Sequence, residues 1–288
     1  MARRVSSHRP FVFGLDLTYK SHGALVFGAW LRATLGADEV EAVHVIAARD
    51  DDPLRDRQLQ RAQVVVHERL GASGHAQTFA RIRVRTAGAI LEGLAEVESS
   101  ARALVLGRRT RSGERALVHL GPVVRKLLRS LPLPTIIVPP ELAPTALGGP
   151  VLLATDLEAH SEHAARFAEQ FARDCRRELI LVHIAGVHHN EYVDEEDPDW
   201  RARSEQFRRE AAADLDAWAD RHGLAEARRI ALCGSPVELL LELVEEERPS
   251  LLVLGSRRLT TTERLFTTST ASTLAAYAPC PIAVIPPK

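Results

Sequence analysis

Two aspartates close apolar runs that read alike, Asp16 in FVFGLDL at 11–17 and Asp156 in VLLATDL at 151–157. A carboxylate at such a point can accept hydrogen bonds from a ribose, or it can cap the turn that follows. Two glycines end a second matched pair of runs, Gly107 in ALVLGRR at 103–109 and Gly255 in LLVLGSR at 251–257. Backbone amides opened by a glycine turn can hold phosphate, whereas the plainer role of each glycine is to make the turn. Behind them lie Arg108, Arg109, Arg111 and Arg115 in the first run, and Arg257, Arg258 and Thr260 to Thr262 in the second. Guanidinium forks suit phosphate, although in so arginine-rich a chain the same residues serve as a solvated loop.

Other chemistries find less support. His160 and His163 lie three apart, and His188 and His189 precede an acidic stretch from Glu191 to Asp199. No third ligand is fixed by spacing and neither pair recurs, so polar surface is the better reading and no metal is expected. His44 and His183 do recur, in AVHVIA and LVHIAG, but on strands, where a hydrogen-bonded structural histidine is expected. The three lysines, Lys20, Lys126 and Lys288, never stand in a GK[ST] context, which removes the lysine-dependent P-loop. No G-x-S-x-G elbow, Ser-His-Asp order or paired-carboxylate motif supports a hydrolytic nucleophile, and the chain reads as a non-enzyme. Cys175, Cys233 and Cys280 form no CxxC, which speaks against a disulfide framework and for a reducing cytoplasm. A net charge of -1 offers no global field for nucleic acid or an anionic membrane, and no run approaches the roughly 20 apolar residues of a membrane span.

These residues need a scaffold that brings the ends of separate strands together. At 288 residues, against a prior of roughly 150 per domain, the chain has room for two units. Four segments recur in the same order, closing with LPLPTIIVPP at 131–140 and APCPIAVIPP at 278–287. Short β-branched runs alternate with amphipathic patterns in each half. Ala24, Phe27, Gly28 and Leu31 answer to Ala164, Phe167, Ala168 and Phe171, one core-facing helix stripe in both copies. Ser21 and Ser161 are the candidate N-caps, and Gly71 and Gly223 the stops of the second helices. The expected fold class is α/β: two repeated doubly wound domains, each a five-stranded parallel sheet of order 3-2-1-4-5 with helices on both faces. Domain one is expected at 1–140, a linker rich in Pro and Gly at 141–150, and domain two at 151–288. In that order strands one and four are neighbours, and their carboxyl ends flank one crevice where ligands bind.

Strand one ending in Asp, the V-H-V/I second strand, the V-L-G end of strand four and the closing A-P-C-P-I-A-V-I together resemble the universal stress proteins, here as a tandem pair. The resemblance implies a regulatory stress-response protein. It also implies an ATP site built from G-x2-G-x9-G-[ST] after strand four. Carried onto the second half, that motif gives Gly255, Arg258, Thr268 and Ser269, with Asp156, Ile184, Leu254 and Ser256 beside them. Two of three glycines are lost, and glycine is what permits φ > 0 and close backbone approach. In the first half Asp16 and Gly107 remain, Thr110 replaces the second glycine, and Gly121 comes one residue late before Pro122. The implied site is therefore single, degenerate and in the second half, with ATP as its candidate ligand. The alternatives are a dimerisation or scaffold module without nucleotide, and a nucleotide-hydrolysing or nucleotide-transferring enzyme of the same architecture. The two halves are expected to pair with each other as a pseudo-dimer through the apolar fifth strands, which would aggregate if left uncovered. Further homo-oligomerisation is left open, and no nucleic acid or membrane partner is expected.

Overall fold

The computed structural model describes residues 9–18, 21–49, 51–96, 101–108, 120–130, 132–186, 198–256 and 270–287. The first half runs β1 (Phe11–Gly14), α1 (His22–Leu35), β2 (Val40–Ala47), α2 (Arg55–Ala72), β3 (Arg81–Ala87), α3 (Ile90–Ala95), β4 (Ala103–Gly107), α4 (Pro122–Ser130) and β5 (Thr135–Val138). The second half runs β6 (Val151–Thr155), α5 (Glu162–Cys175), β7 (Leu179–Ala185), α6 (Pro198–Arg221), β8 (Arg228–Cys233), α7 (Pro236–Glu247), β9 (Leu251–Gly255), α8 (Thr270–Tyr277) and β10 (Ile282–Ile285). By its contacts the chain divides into two compact units, Met1–Leu147 with Ala275–Ala283, and Gly148–Leu274 with Val284–Lys288.

Strand order in the first half is β3-β2-β1-β4-β5, and in the second β8-β7-β6-β9-β10. Both are the expected 3-2-1-4-5. The ladders joining β1 to β5 and β6 to β9 are parallel, with Phe11 opposite both Val40 and Ala103, and Val151 opposite both Leu179 and Leu251. The central strands are apolar on both faces and fully buried at Phe11, Val12, Phe13, Val151, Leu152 and Leu153, as a sheet covered on two sides requires.

The first helices follow the expected stripe. Ala24, Phe27 and Leu31 of α1, and Ala164, Ala168 and Phe171 of α5, are buried. At Gly23 the close packing admits no side chain, since a Cβ there would fall 1.9 Å from the Pro139 carbonyl oxygen. The second helices end slightly differently from expectation. Gly223 has φ 72 just after α6, whereas Gly71 lies within α2, and the left-handed residue is Gly74 at φ 76. In GASG the first glycine can stay helical because the second supplies the left-handed turn.

Candidate functional site

The ladders set the levels at the carboxyl ends. Thr155 lies opposite His183 and Ala154 opposite Leu254, so Asp156 and Ser256 emerge just beyond the last paired rungs of β6, with Gly255 between Leu254 and Ser256, while Ile184 follows His183 within β7, still opposite Leu232. In the first half Gly14 lies opposite Val43 and Leu106, which places Asp16 and Gly107 at the corresponding end. Gly121 precedes α4, and its carbonyl accepts the Arg125 amide at 3.0 Å. Arg258, Thr268 and Ser269, together with the loop arginines Arg109, Arg111, Arg115 and Arg257, lie outside the described residues. So do His188 and His189.

Each aspartate is tied into the turn that follows its strand. Asp16 Oδ1 accepts from the Thr18 amide at 3.0 Å, the Thr18 hydroxyl at 2.9 Å and the Ser21 hydroxyl at 2.6 Å. Asp156 Oδ1 accepts from the Ser161 hydroxyl at 2.7 Å and, more distantly, from the Glu158 amide at 3.3 Å. Ser21 and Ser161 therefore stand where N-caps were expected but make no side-chain cap bond to their helices. Their hydroxyls are spent on the aspartates instead, because the residue at that point is already helical in φ and ψ and its side chain swings back over the turn.

The residue after each aspartate is left-handed: Leu17 has φ 58 and Leu157 φ 66. For a leucine that conformation costs about 1–2 kcal/mol, and it recurs at the same place in both copies. Strain of this kind persists only where the surroundings over-determine it. Here the surroundings are the serine hydroxyl on one side and a histidine on the other. His44 Nδ1 donates to the Leu15 carbonyl at 2.7 Å, and His183 Nδ1 to the Thr155 carbonyl at 2.9 Å. A carbonyl can only accept, so the proton sits on Nδ1. The repeated histidines are thus the structural pair expected, and they fix the last carbonyl before each turn.

The first amides after the glycine-ended strands are not free for a phosphate. Arg108 N donates to the Val138 carbonyl at 2.9 Å, and Ser256 N to the Ile285 carbonyl at 2.8 Å. The Arg108 guanidinium donates to the Ala275 carbonyl at 3.3 Å within its own compact unit. Burial pushes its pKa down, with Glu141 and Cys280 opposing. Any phosphate would have to be met further along the second loop. Among the described residues no group of three or more His, Cys, Asp or Glu could hold a metal ion.

Residues 149–286 match the model of the universal stress protein family. The second half of the chain therefore carries a universal stress protein domain. A universal stress protein of Thermus aquaticus, described as lying in the QAH/OAS sulfhydrylase 3' region, is 28% identical over 139 residues, covering 47% of this chain and 96% of the relative. A universal stress protein structure from Archaeoglobus fulgidus DSM 4304 superposes with a TM-score of 0.69 at 18% identity, covering 96% of this chain and 98% of that one. A Pseudomonas aeruginosa PAO1 protein of unknown function gives 0.64 at 13%, covering 98% and 93%. At those identities the two structures establish the fold, and they do so over nearly the whole chain.

The residue pattern alone did not lead to the Asp-to-Ser link or to the left-handed leucine. The signal for both was present: D-L followed by Ser five residues after the aspartate occurs at 16–21 and again at 156–161.

Proposed function

We propose that this universal stress protein is a regulatory, non-catalytic protein with one nucleotide site, at the carboxyl ends of β6 and β9, and that ATP is the candidate ligand. The observation that carries the choice of half is the loop after the fourth strand, where the second half offers the hydroxyl of Ser269 and the first has Gly121 followed by Pro122, which has neither hydroxyl nor amide donor. Asp156 is also half-buried and held by the Ser161 hydroxyl, whereas Asp16 is exposed, so water competes less for a ribose hydroxyl at Asp156. Ile184 and Leu254, the second at 5% exposure, supply apolar surface on either side for a base. Arg258, Thr268 and Ser269 are proposed for the phosphates on the strength of the motif alone.

The test is mass spectrometry of small molecules released from the purified, denatured protein, followed by calorimetric titration with ATP. A nucleotide released, or heat of binding that disappears in Asp156→Ala, supports the reading. Absence of both promotes the scaffold alternative, which the engaged Ser256 amide favours. The reading places the protein in a reducing cytoplasm, in keeping with Cys175, Cys233 and Cys280 standing as thiols. Self-pairing of the halves is part of the same proposal and rests on the apolar fifth strands. Either half made alone is expected to self-associate in sedimentation, and a monomeric half would overturn that part.

A further inference from the structure

The near-zero net charge conceals a division along the chain. Residues 1–150 carry 21 Lys and Arg against 14 Asp and Glu, while residues 151–288 carry 16 against 24. Part of each excess lies on one exposed helix. In α4 the sequence PVVRKLLRS turns Val124 and Leu127 into the core and leaves Arg125, Lys126 and Arg129 exposed, with no acidic residue on the helix. In α7 the sequence PVELLLELVEEE buries Leu240, Leu243 and Val244 and leaves Glu238, Glu242, Glu245 and Glu246 exposed, with no basic residue on the helix. Among the described residues only Glu247 of α7 has an ion-pair partner, Arg228, and none is found for the three cations of α4.

Arg129 in the last turn of α4 and Glu238 in the first turn of α7 suit their helix dipoles, but the rest of each stripe does not help its own helix. Carboxylates at 245, 246 and 247 face the negative end of the α7 dipole, where cations are the stabilising choice. Glu238, Glu242 and Glu245 or Glu246 also fall at i, i+4 and i+7/8, so they repel one another along a single stripe. Arg125 and Arg129 do the same at i, i+4 on α4. The second copies within the chain carry no such load: α8, the counterpart of α4, is TASTLAAY, and α3, the counterpart of α7, has Glu92 as its one charge. Local rules broken on only one member of each repeated pair point to a use outside the helix.

We propose that copies of this chain associate head to tail, the cationic face of α4 on one copy meeting the anionic face of α7 on another. The occupant is a second copy because the chain supplies both signs, on stripes of matching four-residue spacing. About 6 Å separates residues four apart on a helix, so Arg125 and Arg129 register with Glu238 and Glu242 or with Glu242 and Glu246. A contact between unlike surfaces is heterologous, and it closes into a ring or continues as a filament. Charge direction sets which copies meet and how fast, and it fades with salt.

Sedimentation velocity of the full chain at low and high salt tests this. The expected result is association at low ionic strength that weakens by roughly tenfold or more when the screening length falls from about 30 Å to about 3 Å. Arg125→Glu with Lys126→Glu and Arg129→Glu is expected to be monomeric, as is Glu238→Lys with Glu242→Lys and Glu245→Lys. Mixing the two variants sets opposite charges against each other at both kinds of contact and should restore association. Circular dichroism confirms that each is folded; the neutral pair Arg125→Gln with Arg129→Gln replaces an α4 variant that is not, and Glu238→Gln with Glu242→Gln replaces an α7 variant that is not. A monomer at low salt, association indifferent to salt, or a mixture that stays monomeric each overturns the proposal. So does an α4 variant that keeps its mass at low salt but loses retention on immobilised duplex DNA, since α4 would then serve a polyanion.

Discussion

Asp156 and Asp16 are each followed by a leucine and, five residues on, by a serine. Only Asp156 is half-buried and only its half has a hydroxyl, Ser269, at the end of the phosphate motif, and that difference decides what their removal should do. Asp156→Ala is expected to weaken ATP binding by roughly tenfold or more, the worth of a hydrogen bond to a charged group, while Asp16→Ala leaves it within about twofold. Isothermal titration of both variants checks this, and equal losses would show that the first half is the binding half. Ser161 is 2% exposed and gives its hydroxyl to Asp156 at 2.7 Å. Ser161→Ala is expected to cost about 1.5 kcal/mol of stability, the low end for a bond to a charged group because water can reach the half-buried carboxylate. It should also loosen the Leu157 turn and so weaken ATP, whereas a purely structural serine would lower stability and leave the affinity alone. Urea unfolding and titration of the same variant separate the two effects.

The helix ends carry the next set of consequences. Arg176, the left-handed C-cap of α5 at φ 54, is exposed and holds its place through backbone bonds to Arg173 and Ala172. Arg176→Gly removes the Cβ penalty and is expected to stabilise the protein by about 1 kcal/mol, read as a higher urea midpoint with unchanged slope. Beyond the end of α2, His75 packs against Thr78, its Nδ1 3.1 Å from the hydroxyl. Burial, and secondarily the positive charge of His22, lower its pKa from 6.5. The unfolded chain then binds the proton more readily, so stability from this group is present above pH 6.5 and lost as pH falls from there through the lowered value. His75→Gln should flatten that part of the profile of unfolding midpoint against pH, and an unchanged profile would assign the loss to other groups. These helices were mostly legible beforehand, because their buried stripes repeat in both halves. The end of α2 was not, since GASG offers two glycines and only packing chooses Gly74 over Gly71. The turn after each aspartate was hidden for a related reason: leucine gives no hint of φ > 0, and the bonds that hold it there come from a serine on the next helix and a histidine on the next strand.

At the scale of the molecule, duplication explains why strand order could be read from one chain: each half repeats the pattern that the other half tests, and the same ends of β1 and β4, or β6 and β9, come together twice. Duplication also shows what the two copies no longer share, namely the charge of α4 and α7 and the exposure of the two aspartates. Catalysis would require further groups at that same end of the sheet. Phosphoryl transfer needs cations held on the β and γ phosphates and a group that orients the attacking oxygen. At the described end of the second half, the Asp156 carboxylate is bonded to Ser161 and the Ser256 amide to Ile285, so the two groups best placed to act are already committed to the turn and the sheet. Arg257 and Arg258 remain as charge clamps, which can bind an anion without activating a nucleophile. The expected outcome is that the purified protein, with magnesium or manganese, releases phosphate from ATP far below the 1–1,000 per second or so typical of enzymes. Turnover within that range, lost in Asp156→Ala but retained in Asp16→Ala, would make the second half an ATPase and replace the regulatory reading with an enzymatic one.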